Sequence, residues 1–105
     1  MDDLIVLIGE TFTQNAIGEQ IATETRTEVW AHLNSVSRSE WFAAGKNGLQ
    51  PAIVAATPIV NYSGEKLVDY AGKRYAVYRT YFRDNSDEIE LYLEERAGLN
   101  VGDDA

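Results

Sequence analysis

Two long segments of this sequence alternate apolar and polar residues with a period of two, the pattern of a strand with one buried face. The first segment, Glu19 to Asn34, is rich in β-branched threonine, valine and isoleucine. The second segment, residues 75–96, alternates on both sides of a break at residues 84–86 and therefore predicts a β-hairpin. A chain of 105 residues that contains two such ribbons is constrained to a predominantly β fold.

Shorter apolar runs predict three further strands. Leu4–Ile8 is wholly apolar and is typical of a buried strand, whereas the polar residues 11–18 after it predict a loop. Residues 51–60 and 66–70 predict the other two strands, with a turn at 61–64 between them. In the second arm of the hairpin the alternation assigns three side chains to the interior (Ile89, Leu91 and Leu93) and three to water (Glu88, Glu90 and Glu94).

One short helix interrupts the strands. Ser37 precedes Glu40 by three residues, which is capping-box spacing, and Gly45 indicates a helix end, so a helix is predicted over residues 38–45. Six strands and one helix predict an all-β fold, a small β-barrel or sandwich with a helical insertion. We expect a single domain over residues 1–97 and a flexible acidic tail over residues 98–105.

Composition argues against most catalytic and metal chemistry. The chain has no cysteine and one histidine, His32, which excludes thiolate metal sites and disulfides and leaves too few ligands for zinc. No phosphate-binding loop or nucleophile motif is present. The net charge of −8 disfavours a dedicated nucleic-acid binder. We expect no enzyme activity, no cofactor, no metal and no membrane association.

The tyrosine-rich hairpin has two interpretations. Its aromatic residues could stack on bases in an oligonucleotide-binding barrel, or they could fill a barrel wall and a subunit surface. The residues concerned are Tyr75, Tyr78, Tyr81 and Phe82. Simple alternation places Arg79 on the same face as Val77 and Tyr81, where a half-buried guanidinium needs a carboxylate. That partner is predicted to be Glu65, Asp69 or Glu90, or else a residue across a subunit boundary.

Several segments, taken in order, resemble the phage head closure family, also called head–tail joining or stopper proteins. They lie within "SVSRSEWFAAGKNGLQPAIV" and "NYSGEKLVDYAGKRYAVYRTYFRDNSDEIELYLEE". The matching segments are residues 37–40, 44–45, 48–51, 62–65, 72–75, 78–81 and 89–92. The resemblance implies a small β-barrel that forms a homo-oligomeric ring in the virion neck and is assembled in the cytoplasm of the bacterial host. Such a ring lies below the portal and its adaptor, closes the DNA channel after packaging and receives the tail proteins.

A ring also requires interfaces and a gate. Head-to-tail contacts use two different surfaces of each subunit, which we expect at the helix and at the aromatic hairpin. The expected interface residues are Glu40, Trp41, Phe42, Tyr78, Arg79 and Tyr81. The expected channel-gating residues are Thr13, Gln14 and Asn15 in one loop, or Lys46 and Asn47 in another. Passing DNA would be contacted without sequence preference. The alternatives are another neck component, such as a tail-completion protein, and an oligonucleotide-binding barrel.

Overall fold

The computed structural model describes residues 2–84 and 86–95, and the expected acidic tail lies outside these residues. Six antiparallel strands close a barrel in the spatial order β1-β2-β3-β6-β5-β4. The elements are β1 (Asp2–Gln14), β2 (Gln20–Ser35), α1 (Arg38–Gly45), β3 (Pro51–Pro58), a 3-10 turn (Ile59–Asn61), β4 (Leu67–Tyr70), β5 (Lys73–Phe82) and β6 (Glu88–Glu94). The prediction of a small all-β barrel with one short helix is confirmed.

The barrel core lies where all six strands meet. Ile5 and Leu7 of β1 are almost fully buried, as expected for a wholly apolar run, and Ile89, Leu91 and Leu93 of β6 are almost fully buried, as alternation predicted. The other members of the core cluster are Val29, Ala31, Leu33, Ala55, Val68 and Tyr75. Each of these side chains comes from the inward face of a strand, so period-two alternation explains which residues form this core cluster.

The first strand is much longer than predicted. Strand β1 pairs with β2 along all 13 of its residues, so Thr11–Gln14 belong to a strand and the prediction of a loop over residues 11–18 was wrong for its first half. Only residues 15–19 form the turn. The error arises because these residues are exposed on both faces, so they show no apolar alternation although threonine favours strands.

The strands β1 and β2 therefore extend beyond the barrel. Strand β4 covers β1 only from Val6 to Ile8, and β3 covers β2 only from His32 to Ser35. From Glu10 to Glu24 the two strands pair, among the described residues, only with each other; we call this two-stranded segment the arm. At about 3.3 Å per residue its five residue pairs extend about 17 Å from the barrel.

One glutamate of β6 contradicts its predicted orientation. Glu94 was expected to face water but is 2% exposed. Gln50 covers it: the backbone N–H of Gln50 lies 3.5 Å from Glu94 Oε1, and Gln50 O accepts from the N–H of Glu95. Strand alternation cannot predict this burial, because the covering segment arrives from the connection between α1 and β3.

Candidate interaction surfaces

A β-bulge in β5 creates the first polar cluster. The pairing of β5 with β6 moves from Val77–Leu93 directly to Arg79–Tyr92, so Tyr78 is an extra residue in the ladder. Because of this insertion, Tyr78 and Arg79 both project from the outer face of the barrel. Simple alternation would have placed them on opposite faces, so the prediction that Arg79 shares a face with Val77 was wrong.

The two side chains converge on Glu40 of helix α1. Arg79 Nη2 donates to Glu40 Oε1 at 2.6 Å, Arg79 Nε donates to Oε2 at 3.2 Å, and Tyr78 Oη donates to Oε2 at 2.6 Å. The guanidinium also lies 3.8 Å above the centre of the Tyr92 ring. We call Glu40, Tyr78, Arg79 and Tyr92 the helix anchor, because they attach α1 to the barrel wall.

In a full capping box the Glu40 carboxylate would bind the start of the helix, but here it binds Arg79 and Tyr78 of the helix anchor instead. Ser37 Oγ accepts from the Glu40 N–H at 3.2 Å, as the spacing predicted, while the Glu40 side chain turns away to Arg79. The hydrogen bond from Arg79 lowers the pKa of Glu40 against the opposing effect of burial. Burial and the hydrogen bond to Glu40 raise the pKa of Tyr78. The carboxylate is thus held ionised as a structural acceptor.

The predicted partners of Arg79 were therefore wrong. Glu40 was not among the three carboxylates considered, because it belongs to the helix and not to a neighbouring strand. Asp69 instead binds Arg74, its cross-strand neighbour, and Glu90 lies within 3.5 Å of Arg83. The signal that could have identified the Asp69–Arg74 pair is the tight turn at Ala71 and Gly72, where positive φ at both positions sets the hairpin register.

Three of the expected interface residues remain on the surface. Trp41 and Phe42 are 53% and 56% exposed, with their rings in edge-to-face contact at 5.3 Å. Tyr81 pairs with Glu90 on the outer face and is also exposed. The other three, Glu40, Tyr78 and Arg79, contact each other within the chain. The structure thus brings five of the six residues to one region around α1, with Tyr81 two residues further along β5.

The candidate gating residues lie in two different settings. Thr13 and Gln14 end β1 at the tip of the arm, and the Asn15 side chain closes the turn by accepting the N–H groups of Ile17 and Glu19, both at 3.0 Å. Lys46 and Asn47 lie in a compact turn that continues α1, where the Asn47 N–H donates to Ala44 O. The first set is therefore carried on a projecting ribbon and the second on a short, hydrogen-bonded turn.

A second ionic cluster joins the root of the arm to the barrel. Arg74 binds the buried Asp69 through two hydrogen bonds of 2.7 and 3.1 Å, and Arg26 approaches the same carboxylate at 3.3 Å. Arg74 also contacts Glu24 of β2 at 3.1 Å. Burial raises the pKa of Asp69, but hydrogen bonding and charge from Arg74 and Arg26 outweigh it and hold that pKa below its usual value. This network was not predicted from the sequence.

An open groove lies between the arm and the barrel. Its volume is about 880 Å³. The apolar floor and wall are formed by Ile8, Phe12, Ala22, Leu67, Ala76 and Val77, and the polar rim by Gly9, Glu10, Glu24, Gly64, Glu65, Lys66 and Arg74. Phe12 is 62% exposed. The groove could not be predicted from sequence, because it exists only where β1 leaves β4.

Neither a metal centre nor a membrane-spanning helix is found in residues 2–84 and 86–95. No group of three potential metal ligands comes together there. Among the acidic residues at the turn between β5 and β6, Glu88 binds the side chain of Arg83 at 2.7 Å. His32 contacts Asp2 at 2.8 Å on the surface. No helix in that part of the chain is long and apolar enough to cross a bilayer.

Comparisons of the sequence with models of known protein families and with curated proteins return no match. Two surfaces of the described residues are available for function: the exposed aromatic face of α1 and the arm with its groove.

Proposed function

We propose that this protein is a structural component of the neck of a long-tailed phage, where a ring of copies closes the DNA channel after packaging and provides the tail attachment site. The observation that carries the proposal is the helix anchor. Glu40 belongs to one segment that resembles the head closure family and Tyr78–Arg79 to another, and these segments, nearly forty residues apart, contact each other directly. A shared contact is a reason for both segments to occur together.

The shape of the subunit suits such a ring. A closed barrel provides a rigid body, the exposed Trp41 and Phe42 provide a surface for a neighbour, and the arm projects beyond both. In this arrangement the portal and its adaptor lie on one side of the ring and the tail-completion or terminator proteins on the other. A net charge of −8 would let DNA pass without tight binding.

The arm is the better of the two candidate gates. It projects about 17 Å and keeps Thr13, Gln14 and Asn15 at its tip, far from the core. The turn that contains Lys46 and Asn47 is short and is tied to α1 by backbone hydrogen bonds, so it cannot cross a lumen without unwinding the helix. We therefore assign channel gating to the arm tip.

An oligonucleotide-binding barrel accounts less well for the aromatic hairpin. Tyr75 is buried in the core, and Tyr78 is hydrogen-bonded to Glu40. The nearby cations Arg74, Arg79 and Arg83 are each paired with carboxylates. A base-stacking platform needs open aromatic faces beside unpaired positive charge. Salt-sensitive binding of single-stranded DNA at physiological ionic strength would favour this alternative.

The test is electron microscopy of a lysate from a phage that lacks this gene, with the intact gene supplied in trans as the control. Heads that have lost their DNA, beside separate finished tails, would support head closure. Normal filled heads with malformed or missing tails would move the protein to tail completion. Intact infectious particles would overturn the neck assignment. Only a defect that the supplied gene corrects counts in any of these outcomes.

A further inference from the structure

The exposed face of α1 combines aromatic rings with unpaired positive charge. Arg38 and Lys46 lie four residues before and after Phe42, so the three side chains share one side of the helix with Trp41. Among residues 2–84 and 86–95, neither cation forms an ion pair with a carboxylate. Glu40 and the buried Ala44 face the barrel instead, so the helix anchor holds this aromatic face outward.

The groove beside the arm has complementary character. Its floor is apolar and includes Ile8 and Ala76, which are almost fully buried, and Phe12 and Ala22 form a wall as a cross-strand pair. At its rim Glu24 is already paired with Arg74. Within the described ranges, neither Glu10 nor Glu65 forms a salt bridge. Besides these three glutamates and Arg74, the charged residue that lines the groove is Lys66. The rim therefore carries a small net negative charge.

We propose that the groove binds the α1 helix of a second copy of this chain, with Trp41 and Phe42 on the apolar floor and with Arg38 and Lys46 near the glutamates of the rim. The charge distribution favours this occupant. Two copies that each carry −8 repel each other over most of their surfaces, and the cations of α1 provide a local patch of opposite sign. Exposed aromatics that enter a concave apolar site are the usual anchors of a protein interface.

The helix and the groove lie on different parts of the subunit, so contacts between them can link more than two copies. Helix α1 is attached over β5 and β6 through Arg79 and Tyr92, whereas the groove is formed by the arm and β4 with the first half of β5. A contact between different patches is heterologous, so each copy can give its helix to one neighbour and its groove to another. The closure of such an assembly into a ring rests on the proposed function. The docking of the helix in the groove is measured on the purified chain, so the docking and the proposed function can fail separately.

Engineered cysteines provide the test, because the chain has none of its own. Ser39→Cys and Ala22→Cys proteins are mixed at about 1 mM, where even a contact with a dissociation constant near 1 mM is substantially populated. Ser39 is exposed and lies three residues before Phe42 on the same side of α1, so this change leaves both aromatic rings in place. The disulfide-linked products are identified by mass after mild oxidation. Val60→Cys replaces Ser39→Cys in the control mixture, since Val60 is 89% exposed and lies outside both surfaces. Circular dichroism confirms that each variant is folded.

The expected result is a mixed Ser39→Cys–Ala22→Cys dimer at several times the yield of the Val60→Cys control. A further Lys46→Glu change in the helix donor should reduce this yield several-fold, and Glu10→Lys in the groove donor should restore part of it. Predominance of Ser39→Cys self-dimers would overturn the proposal in favour of a symmetric contact. A mixed yield equal to the control would also overturn it and would leave the groove to a segment of another protein.

Discussion

The barrel and the arm are built from the same two strands, yet they are stabilised differently. Between residues 6 and 8 strand β1 is covered by neighbours on both edges, and in this part of the strand Ile5 and Leu7 pack into the core. A few residues later the strand pairs, among the described residues, only with β2, and the apolar residues Phe12 of the strand and Ile17 of the following turn lie on the surface. A two-stranded ribbon is marginally stable without a packed face. The arm therefore depends on the barrel for its order, and it presents apolar groups that contribute nothing to the core.

The largest expected difference between the two regions is the effect of truncating an apolar side chain. Leu91→Ala in the barrel should lower the free energy of unfolding by about 2–5 kcal/mol, because the side chain is fully buried and leaves a cavity. Ile21→Ala in the arm should change it by less than about 0.5 kcal/mol, since Ile21 is exposed. Urea unfolding followed by circular dichroism measures both values. Similar losses for the two variants would show that the arm is part of the core.

The helix anchor tests whether α1 behaves as a second appendage of the barrel. Arg79→Glu would place a second carboxylate beside Glu40, and we expect a loss of about 1–2 kcal/mol, limited because Arg79 is partly exposed. Amide hydrogen exchange should increase over residues 38–45 and remain slow in β6, so the barrel stays folded while the helix loosens.

The charge swap is the matched control for this variant. Glu40→Arg combined with Arg79→Glu re-forms an ion pair of opposite orientation and should slow exchange in the helix again. The proposed ring or neck assembly, measured by native mass spectrometry with the portal–adaptor complex that this proposal names as partner, should decrease with Arg79→Glu and recover with the swap. Global unfolding by Arg79→Glu would contradict the description of α1 as an appendage.

The junction between barrel and arm is sensitive to volume at Gly9. A Cβ atom there would lie 2.9 Å from Thr25 Oγ1 and 3.2 Å from Glu65 Cγ. Gly9→Ala should therefore cost about 1 kcal/mol, since both side chains must move. Gly45→Ala is the control: its Cβ meets no atom within 4 Å, and alanine in a helix should stabilise by up to about 1 kcal/mol. Equal effects in thermal denaturation would mean that the arm root is not closely packed.

The sequence predicted the barrel much better than it predicted the arm or the candidate sites. Alternation identifies a strand only where one face is buried, so Ile89 and Leu91 were placed correctly and Thr11–Gln14 were not. The bulge at Tyr78 has no local signature, yet it reverses the face of every later residue in β5. Glu40 was recognised as a capping residue, but its actual partner, Arg79, comes from a strand that contacts the helix only in the folded barrel.

The smallest expected effect concerns the pH dependence of the contact between arm and barrel. Because the pKa of Asp69 is lowered in the folded state, its ionised form adds stability above its usual pKa of about 4, and that stability is lost as the pH falls through the lower, folded pKa. Asp69→Asn removes this contribution, so its stability should fall less steeply below about pH 4 than that of the unaltered chain. Asp87→Asn, the same change at an exposed aspartate outside the cluster, is the matched control. Urea midpoints measured between about pH 3 and pH 6 compare the three proteins.

Hydrogen exchange at the same pH values shows where the loss of stability occurs. Faster exchange at residues 20–26, before the core opens, would indicate that the arm separates from the barrel first. Simultaneous opening of both regions would mean that the cluster stabilises the whole molecule and that the arm has no independent motion with which to gate a channel.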